Sequence, residues 1–390
     1  MVEYFQHARL PHLIFGEGSI ARLVELAATF GKQALILTGR QSFILKSSWP
    51  TLQRELTAKG LLFSQEVIAE EPSPSLVDEI VSRNQAKSVE VVIAIGGGSV
   101  IDAGKAVSAM LCHPYPTKSY LEGVGDRRPT AAKIPFIAVP TTAGTGSEAT
   151  KNAVLSEVGP EGFKKSLRHD AYVPDIALLD PDLATTASPT VTAAAGMDAF
   201  TQLLEAYLST KASSFTDALA WEGLTHIQLG FLSVVENGQD IAARTHMAYA
   251  AYLSGVCLAN AGLGLVHGYA SSVGGKISIP HGILCGSLMG VVNHMTLDKL
   301  LEEDPSSKAL QKYAKVGSLF LGERPYENAG YAKGLTDLIQ EWIEKVNLPR
   351  LSGYGLGKKM IPALAAATGM KNHPIEFSQE EKEEMLRKRL

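Results

Sequence analysis

The pattern of apolar residues changes near the middle of this 390-residue chain, and that change constrains the fold more than any other feature. Up to about residue 181, short β-branched runs such as residues 34–38, 91–95 and 134–139 alternate with amphipathic stretches. Continuous apolar runs of this length are typical of strands buried on both faces, and their alternation with helices predicts βαβ units and a parallel sheet. After about residue 185 the strand pattern stops and helical periodicity follows.

The sequence therefore predicts two domains. Residues 1–185 are predicted to form a Rossmann-like dinucleotide-binding domain with a parallel sheet, including helices over residues 76–85 and 99–110. Residues 186–390 are predicted to form an all-helical domain, with helices over 190–208, 214–235, 241–261, 283–295, 309–321, 331–346 and 379–389. A cleft between two such domains is the usual place for a ligand.

Composition excludes several classes of protein. The 36 basic and 40 acidic residues give a net charge of −4, with no basic run of the kind that binds nucleic acid. No apolar stretch approaches the roughly 18 residues of a membrane span, and the N-terminus lacks a signal-peptide pattern. The sequence thus predicts a cytoplasmic protein with no nucleic-acid or membrane partner. Its three cysteines are too few and too scattered for a thiolate cage, so any metal is expected to have oxygen and imidazole ligands.

A glycine-rich segment follows the second of the apolar runs named above and opens a predicted helix. Gly96, Gly97 and Gly98 allow backbone N–H groups to approach a phosphate, and the N-terminus of the helix favours a pyrophosphate. Ser99 and Asp102 have the spacing of a capping box in which Asp replaces Glu. The alternative is an ordinary glycine-rich turn between a strand and a helix.

A second segment rich in hydroxyls and glycines, residues 140–148 (PTTAGTGSE), follows the third run. Thr141 and Thr142 open it, and Thr145 with Glu148 again has capping-box spacing. Because the carboxyl ends of parallel strands form the ligand-binding edge of such a sheet, the two segments together predict a dinucleotide site. Alone, the second segment is equally explained as a capped loop.

The end of the first run bears on which dinucleotide fits. A carboxylate there would bond the ribose 2′-hydroxyl and repel a 2′-phosphate, whereas this chain has Gly39 followed by Arg40. An arginine fork suits a phosphate, which favours NADP(H) over NAD(H). The alternative for Arg40 is a solvated surface residue.

A candidate metal site comes from the second half. Asp198 and Gln202 have the spacing that places two side chains on one helix face, and His267 and His281 each stand beside a glycine in an apolar setting. One carboxylate and two imidazoles can hold Zn²⁺ or Fe²⁺ with a position open for a substrate oxygen. On spacing alone, buried hydrogen-bonded histidines explain the pattern as well.

Four motifs occur in order along the chain: residues 96–102 (GGGSVID), 140–148 (PTTAGTGSE), 196–199 (GMDA) and 280–282 (PHG). Together they resemble the iron-containing (group III) alcohol dehydrogenases, over about three quarters of the chain. The resemblance implies a Rossmann-like domain followed by a helical domain, on the scaffold of dehydroquinate synthase. It also implies a homodimer that interconverts an alcohol and an aldehyde or ketone with NAD(P), while a divalent metal polarises the substrate oxygen.

The resemblance also assigns roles to residues. The positions it matches to pyrophosphate contacts are Gly97, Gly98, Ser99 and Asp102. Those it matches to other cofactor contacts are Thr141, Thr142, Thr145 and Lys164, the last beside the ribose. Asp198, His267 and His281 match three of the four metal ligands of the family.

This chain departs from the family pattern at three positions. Gln202 stands at the position where the family usually has its fourth ligand, a histidine, and an amide oxygen is a weaker metal ligand than an imidazole. Three alternatives follow: Gln202 completes the site, three residues hold the metal, or no metal is bound, as in the maleylacetate reductases. Ser271 replaces a histidine near the nicotinamide, which leaves Ser271, Tyr269 or water to transfer a proton. Gly39 replaces a frequent aspartate, which again favours NADP(H).

Three alternatives to a metal-dependent dehydrogenase remain open at this point. The first is a metal-independent reductase on the same scaffold, and the second is a non-catalytic nucleotide-binding relative. The third is a lyase of the dehydroquinate synthase type, against which the sequence offers no basic cluster beside the metal for a phosphorylated sugar acid.

Overall fold

A fully parallel six-stranded sheet forms the centre of the N-terminal half, with the strand order β1-β8-β5-β4-β2-β3. The computed structural model describes residues 4–40, 43–44 and 48–390. The strands of this sheet are β1 (His12–Phe15), β2 (Gln33–Gly39), β3 (Leu62–Ile68), β4 (Val91–Gly96), β5 (Phe136–Pro140) and β8 (Ile176–Leu179). The chain reverses its direction of travel across the sheet between β2 and β4, which is where sheets of this kind open a crevice for a ligand.

Both faces of the sheet are covered, which explains the continuous apolar runs. Side chains alternate along each strand, so Leu35 and Leu37 of β2 face one core while Ile36 faces the other. The helices that cover the sheet are α1 (Leu23–Ala28) and α2 (Ser48–Ala58) on one face, with α3 (Pro74–Asn84) and α4 (Gly98–Met110) on the other. The parallel Rossmann-like sheet predicted from sequence is confirmed.

An antiparallel hairpin, which the sequence analysis did not foresee, lies beside the sheet. It consists of β6 (Asn152–Glu157) and β7 (Phe163–Arg168). Ala153, Leu155 and Leu167 join the core around α4 and Phe163 packs against it, while the remaining side chains of β7 are polar. This half-buried pattern gives only a weak strand signal, yet the hairpin brings Lys164 to the edge of the cleft described below.

The C-terminal half is helical, as predicted. Its α-helices are α5 (Pro189–Leu208), α6 (Ser214–Glu236), α7 (Ile241–Ala261), α8 (Leu265–Gly274), α9 (His281–Glu303), α10 (Lys308–Leu321), α11 (Asn328–Lys345), α12 (Ile361–Ala367) and α13 (Gln379–Lys388). The sequence analysis missed the short α8 and began α9 two residues late, so it left His281 outside the helix. Among the described residues, no single helix is long and apolar enough to cross a membrane, although α7 and α8 together, bent by 94°, have the length and composition of a broken span.

The two halves meet through the loop that follows β5. Gly146 in this loop has φ of +60°, and a Cβ there would lie 2.5 Å from the carbonyl oxygen of Ala251 and from the backbone nitrogen of Gly255. A residue with a side chain would be strained at this φ and would also collide with the backbone of α7. The link between the halves is the 3₁₀ helix Pro181–Thr186, and the predicted division at residue 185 falls within it.

Candidate active site

The glycine-rich loop after β4 leads directly into α4, but the predicted capping box is wrong. The N-cap is Gly97, and within the described residues no side chain caps this helix. Asp102 instead accepts a hydrogen bond of 2.5 Å from Ser147 Oγ and lies 3.8 Å from Lys105 Nζ. Since no side chain caps α4 and Val100 N already donates to Gly97 O, the N–H groups of Gly98 and Ser99 are the ones that an anion would meet.

The two predicted cofactor loops pack against one another. A Cβ on Gly97 would lie 3.3 Å from Thr142 Oγ1, and one on Gly98 would lie 2.8 Å from Thr145 Oγ1. Neighbouring strands β4 and β5 pair Gly96 with Pro140, which brings the loops to the same edge. The glycines therefore serve two needs, close approach by a phosphate and close packing of the second loop.

Lys105, on α4, ties the helix that follows the first loop to the end of the second loop. Its ammonium group is fully buried and donates to Ser147 O (2.8 Å), Ser147 Oγ (3.0 Å), Thr150 Oγ1 (3.1 Å) and Asn152 O (2.5 Å). Burial lowers the pKa of Lys105 to about 8, although the charge of Asp102 opposes this shift. The sequence analysis did not single out this lysine, because nothing in the local sequence shows that it turns inward.

The second loop also differs from its predicted capping box. Gly146, in the left-handed conformation, is the N-cap of the 3₁₀ helix Ser147–Ala149, and Thr145 Oγ1 accepts from the backbone N–H of Ser147 at 3.3 Å. Glu148 is turned into the interior, where burial raises its pKa to about 7. It therefore contributes a buried titratable group and no cap.

Gly39 and Arg40 lie at the carboxyl end of β2, beside the crevice between β2 and β4. Arg40 is exposed, and neither residue lines the cleft that contains the histidines. Their position fits the adenosine end of a bound dinucleotide, at the topological switch point of the sheet.

Four side chains from three helices converge at the inner end of the cleft. Asp198 comes from α5, His267 from α8, and His281 and Cys285 from the first turns of α9; their ligand atoms all lie within 4.8 Å of one another. Asp198 Oδ1 is 3.4 Å from His267 Nε2 and 3.6 Å from His281 Nε2. The cluster unites the three ligands predicted from sequence and adds a cysteine, which the expectation of oxygen and imidazole donors did not include.

Glu205 orients His267 from behind the cluster. Glu205 Oε2 accepts from His267 Nδ1 at 2.7 Å, and Oε1 accepts from the backbone N–H of Val266 at 2.7 Å. This contact places the ring proton on Nδ1 and leaves the Nε2 lone pair for a metal. Carboxylates that accept from the far nitrogen of a metal-binding histidine have the same effect. Glu205 lies seven residues after Asp198 on one face of α5, and that spacing is the signal from which it could have been found.

Gln202, predicted as a ligand, is engaged elsewhere. Its amide nitrogen donates to Asp198 Oδ2 and to Thr145 O, both at 3.3 Å, and its oxygen accepts from Ser254 Oγ at 3.2 Å. The group beside the cluster is thus a nitrogen with no lone pair to give. Gln202 positions Asp198 and ties α5 to the cofactor loop.

One carboxylate oxygen at this cluster has no hydrogen-bond partner. Among the buried side-chain nitrogen and oxygen atoms of the described residues, only Asp198 Oδ1 lacks one. A buried unsatisfied carboxylate oxygen is costly, and it faces two imidazole nitrogens whose geometry suits a shared cation. The residues present therefore fit a divalent metal.

The cluster is strongly coupled electrostatically. Burial by itself would raise the pKa of Asp198, but the neighbouring imidazoles of His281 and His267 hold it below its ordinary value. Burial likewise opposes the charged form of Cys285, yet the same imidazoles lower the pKa of its thiol. The environment favours a carboxylate and a thiolate side by side, the forms that bind metals.

A cleft of about 340 Å³ connects the cluster with the glycine-rich loop. The predicted residues that line it are Gly98, Ser99, Asp102, Thr145, Lys164, Gln202, His267, Ser271 and His281. Those that do not line it are Asp198, which is buried behind the histidines, and Gly39, Arg40, Gly96, Gly97, Thr141 and Thr142, which lie in or beside the supporting loops. Lys164 Nζ is held by both oxygens of Glu71 at 2.7 Å.

Two candidates for proton transfer are separated by the structure. Ser271 is exposed to the cleft, and its hydroxyl donates to His267 O at 3.0 Å. Tyr269 is buried, and its hydroxyl donates to Lys382 O at 2.7 Å, in a position outside the cleft lining. The alternative role proposed for Tyr269 is therefore wrong.

Comparisons with known proteins agree with this arrangement. The model of the "Iron-containing alcohol dehydrogenase" family matches residues 11–181, and that of the "Fe-containing alcohol dehydrogenase family, C-terminal" matches residues 192–390. This chain belongs to the iron-containing alcohol dehydrogenase family. It is an oxidoreductase of the alcohol dehydrogenase type, and the family uses NAD(P) and a divalent metal.

Individual relatives support the same assignment. The chain is 35% identical to "Probable alcohol dehydrogenase EutG" of Escherichia coli over 284 residues, which is 72% of this chain and 71% of that protein. It is 30% identical to "NADPH-dependent butanol dehydrogenase" of Clostridium saccharobutylicum over 347 residues, 88% and 85% of the two chains. The solved iron-containing alcohol dehydrogenase from Thermococcus thioreducens superposes with a TM-score of 0.85 at 26% identity, over 99% of both chains.

Proposed function

We propose that this alcohol dehydrogenase binds its dinucleotide along the two loops after β4 and β5 and transfers hydride at the cluster of Asp198, His267 and His281. The observation that carries the proposal is the unpaired buried Asp198 Oδ1, which faces two imidazoles at the inner end of the cleft that Gly98 and Ser99 also line. Cofactor loop and metal ligands are thus two ends of one cavity.

The chain's own residues hold the reacting groups in place. Asp198, His267 and His281 would hold the divalent metal, either Fe²⁺ or Zn²⁺, with Glu205 fixing the His267 ring. When bound, the metal supplies Lewis acidity toward the substrate oxygen, and the nicotinamide carries the hydride. The buried walls of the helical domain exclude water from this end of the cleft.

The proton of the alcohol leaves by way of Ser271 or water. Ser271 Oγ donates to His267 O, a backbone carbonyl that takes up no proton, so Ser271 relays the proton only if it passes its own hydroxyl proton to water in the cleft as it accepts the proton of the alcohol. Because Lewis acidity lowers the pKa of a bound alcohol, a hydroxyl is sufficient where the family has a histidine. Asp102 and Lys164 flank the path along which the nicotinamide ribose would lie.

We propose NADP(H) as the preferred cofactor. No carboxylate stands at the end of β2, where Gly39 is followed by the exposed Arg40. A 2′-phosphate at this edge would meet the guanidinium of Arg40 and no carboxylate at position 39. A homodimer in the cytoplasm remains the prediction for assembly and location.

Metal analysis together with a cofactor-linked screen tests this function. Protein purified anaerobically and loaded with Fe²⁺ or Zn²⁺ is expected to retain one metal per chain and to reduce short aldehydes with NADPH, and chelation should abolish both properties. Full activity in a protein shown to contain no metal would instead support a metal-independent reductase. Tight NADPH binding without turnover of any aldehyde, ketone or alcohol would support a non-catalytic role.

A further inference from the structure

We propose that Cys285 is the fourth metal ligand of this protein, in the place of the histidine that the family has at Gln202. The inference rests on the proposed function, because it concerns the same centre. Cys285 Sγ lies 3.6 Å from His267 Nε2 and 3.7 Å from His281 Nε2. It belongs to a helix different from the one that bears Gln202.

The distances match a tetrahedron. Nitrogen and oxygen donors at about 2.1 Å and sulfur at about 2.3 Å from Zn²⁺ stand about 3.4–3.6 Å apart when placed at tetrahedral corners. The four separations between donor atoms given above, two from Asp198 Oδ1 and two from Cys285 Sγ, are 3.4, 3.6, 3.6 and 3.7 Å. The other two separations of the tetrahedron are within 4.8 Å, so a single ion at the centre would lie close to all four donors.

Local structure explains why Cys285 takes this place. His281 and Cys285 are four residues apart at the start of α9, so both side chains lie on one face. Cys285 is fully buried like Cys257, but of the two only Cys285 lies among the other candidate ligands. Asp198 is only 1% exposed, and its Oδ1 has no hydrogen-bond partner. This unpaired oxygen is independent evidence for an ion at the same place.

A thiolate ligand changes the charge and the metal preference of the centre. Asp198 and a Cys285 thiolate together neutralise a divalent ion, whereas one carboxylate with three histidines leaves a net positive charge. Sulfur donors favour Zn²⁺ over harder ions in tetrahedral sites. We therefore expect Zn²⁺ to be retained over Fe²⁺ when both are supplied, with the substrate oxygen entering as a fifth donor.

Cobalt substitution tests this ligand without an activity assay. Apo-protein reconstituted with Co²⁺ is expected to show d–d bands and a thiolate-to-cobalt charge-transfer band in the near-ultraviolet. Cys285→Ser should keep bound Co²⁺ but lose the charge-transfer band. The matched control is Cys257→Ala, a buried cysteine outside the cluster, which should keep both.

A protein with a single cysteine keeps the test decisive even if Cys285→Ser does not fold. In Cys112→Ser/Cys257→Ala only Cys285 remains, and the charge-transfer band should persist. Bound Co²⁺ without that band in the wild type would overturn the thiolate ligand and leave the metal-dependent function standing. Failure of the wild type to bind Co²⁺ at all would overturn both.

A second, independent observation concerns the entrance to the cleft. A groove of about 620 Å³ adjoins the cleft, and Arg168 and Lys371 line both. The groove is also lined by Lys151 and Lys211, and no acidic side chain is among its described lining residues. The sequence-based expectation of no basic cluster concerned the residues beside the metal, whereas these cations line the adjoining groove, where β7 and the 371–372 turn bring them together only in the fold.

Two of these cations form no ion pair among the described residues. Lys151 pairs with Asp170 and Arg168 with Glu122, but no ion pair in the described part of the chain involves Lys211 or Lys371. The turn that bears Lys371 is anchored, since Asn372 N donates to Leu263 O and Thr210 N to Asn372 O, both at 3.0 Å. Because carboxylates compensate Lys151 and Arg168, Lys211 and Lys371 supply the uncompensated positive charge of the groove, which attracts anions.

We infer that the substrate of this dehydrogenase carries an anionic group, such as a carboxylate, sulfonate or phosphonate, which Arg168 and Lys371 bind while the carbonyl reaches the cluster. This inference also rests on the proposed function. The residues of the glycine-rich loop line the cleft but not the groove, so these cations stand on the side away from the cofactor phosphates. Charge-assisted hydrogen bonds of this kind give both affinity and orientation.

Paired aldehydes test the inference. With NADPH, kcat/KM is expected to be about tenfold or more higher for 4-oxobutanoate than for butanal. Comparison of sulfoacetaldehyde and phosphonoacetaldehyde with propanal shows whether a sulfonate or a phosphonate is preferred. Lys371→Gln should bring the ratio of kcat/KM for the charged over the neutral aldehyde close to one. The control Lys359→Gln, an exposed lysine outside the groove, should leave that ratio unchanged.

Three results would contradict the anionic substrate. Equal efficiency with charged and neutral aldehydes would overturn it while leaving the dehydrogenase function intact. A rise in the KM for NADPH in Lys371→Gln would assign that cation to the cofactor instead. Reduction of none of these aldehydes by metal-loaded protein would count against the proposed function as well.

Discussion

The two ends of the cleft are built in different ways. The cofactor end consists of backbone and short side chains in two loops, each contiguous in sequence and each following a strand of the sheet. The catalytic end consists of four side chains drawn from α5, α8 and α9, up to 87 residues apart from Asp198 to Cys285. A contiguous motif describes the first end well, whereas only the packing of helices assembles the second.

Loss of a ligand at the catalytic end is expected to have the largest effect. His281→Ala removes one imidazole and should abolish stable metal retention, with a fall in kcat/KM of about 10³-fold or more, since Lewis-acid stabilisation is worth several kcal/mol. Elemental analysis and steady-state kinetics on the same preparation measure both. Unchanged retention of the metal would show that the ligand assignment is wrong, and His294→Ala, an exposed histidine of the same helix, is the control.

The cofactor end depends in turn on a buried cation. Lys105→Met removes four hydrogen bonds and leaves Asp102 without its cation, which should lower the free energy of unfolding by about 3–5 kcal/mol. Adding Asp102→Asn should recover part of the loss, because the uncompensated charge is then gone. Denaturant unfolding of the two variants checks this, and an additive double variant would mean that the two residues are not coupled.

Glu148 gives the same end a dependence on pH. Its pKa is about 7 in the folded protein against 4.5 ordinarily, so the folded state binds more protons between these values and stability falls as pH rises through them. The full loss is about 3 kcal/mol, converted from the shift. Comparison of the unfolding free energy of wild type and Glu148→Gln from pH 4 to pH 8 isolates this contribution; parallel curves would contradict it.

Substitution of Glu205 is expected to weaken metal binding at the catalytic end without removing a ligand. Glu205→Gln keeps the shape but lowers the basicity of the carboxylate that holds His267, and is expected to weaken metal affinity by about 10–100-fold. Competition with a chromogenic chelator measures this change. Glu222→Gln, at an exposed position on α6, is the matched control, and equal affinities in the two variants would remove Glu205 from the metal centre.

The contrast between the two ends also explains which predictions succeeded. The parallel sheet, the helical second half and the meeting of Asp198, His267 and His281 follow from the apolar pattern and the resemblance. Cys285 was missed because its spacing from His281 has meaning only once both lie on α9, whose start was predicted two residues late. The predicted capping box of Ser99 and Asp102 is wrong because Asp102 accepts a hydrogen bond from Ser147. That contact joins two distant segments, and local spacing does not reveal it.

The smallest effect is expected from substitutions at the carboxyl end of β2, where the adenosine of the cofactor would lie, away from the reacting atoms. Gly39→Asp places a carboxylate at the end of β2, where it would bond a ribose 2′-hydroxyl and repel a 2′-phosphate. We expect the ratio of kcat/KM for NADPH over NADH to fall about tenfold, which corresponds to about 1.4 kcal/mol, with little change in kcat. Steady-state kinetics with both cofactors measure the ratio, and Arg40→Gln should move it in the same direction by removing the cation. A wild-type protein that already prefers NADH would refute the assignment of this edge while leaving the catalytic end untouched, because Gly39 and Arg40 do not line the cleft that ends at His267 and His281.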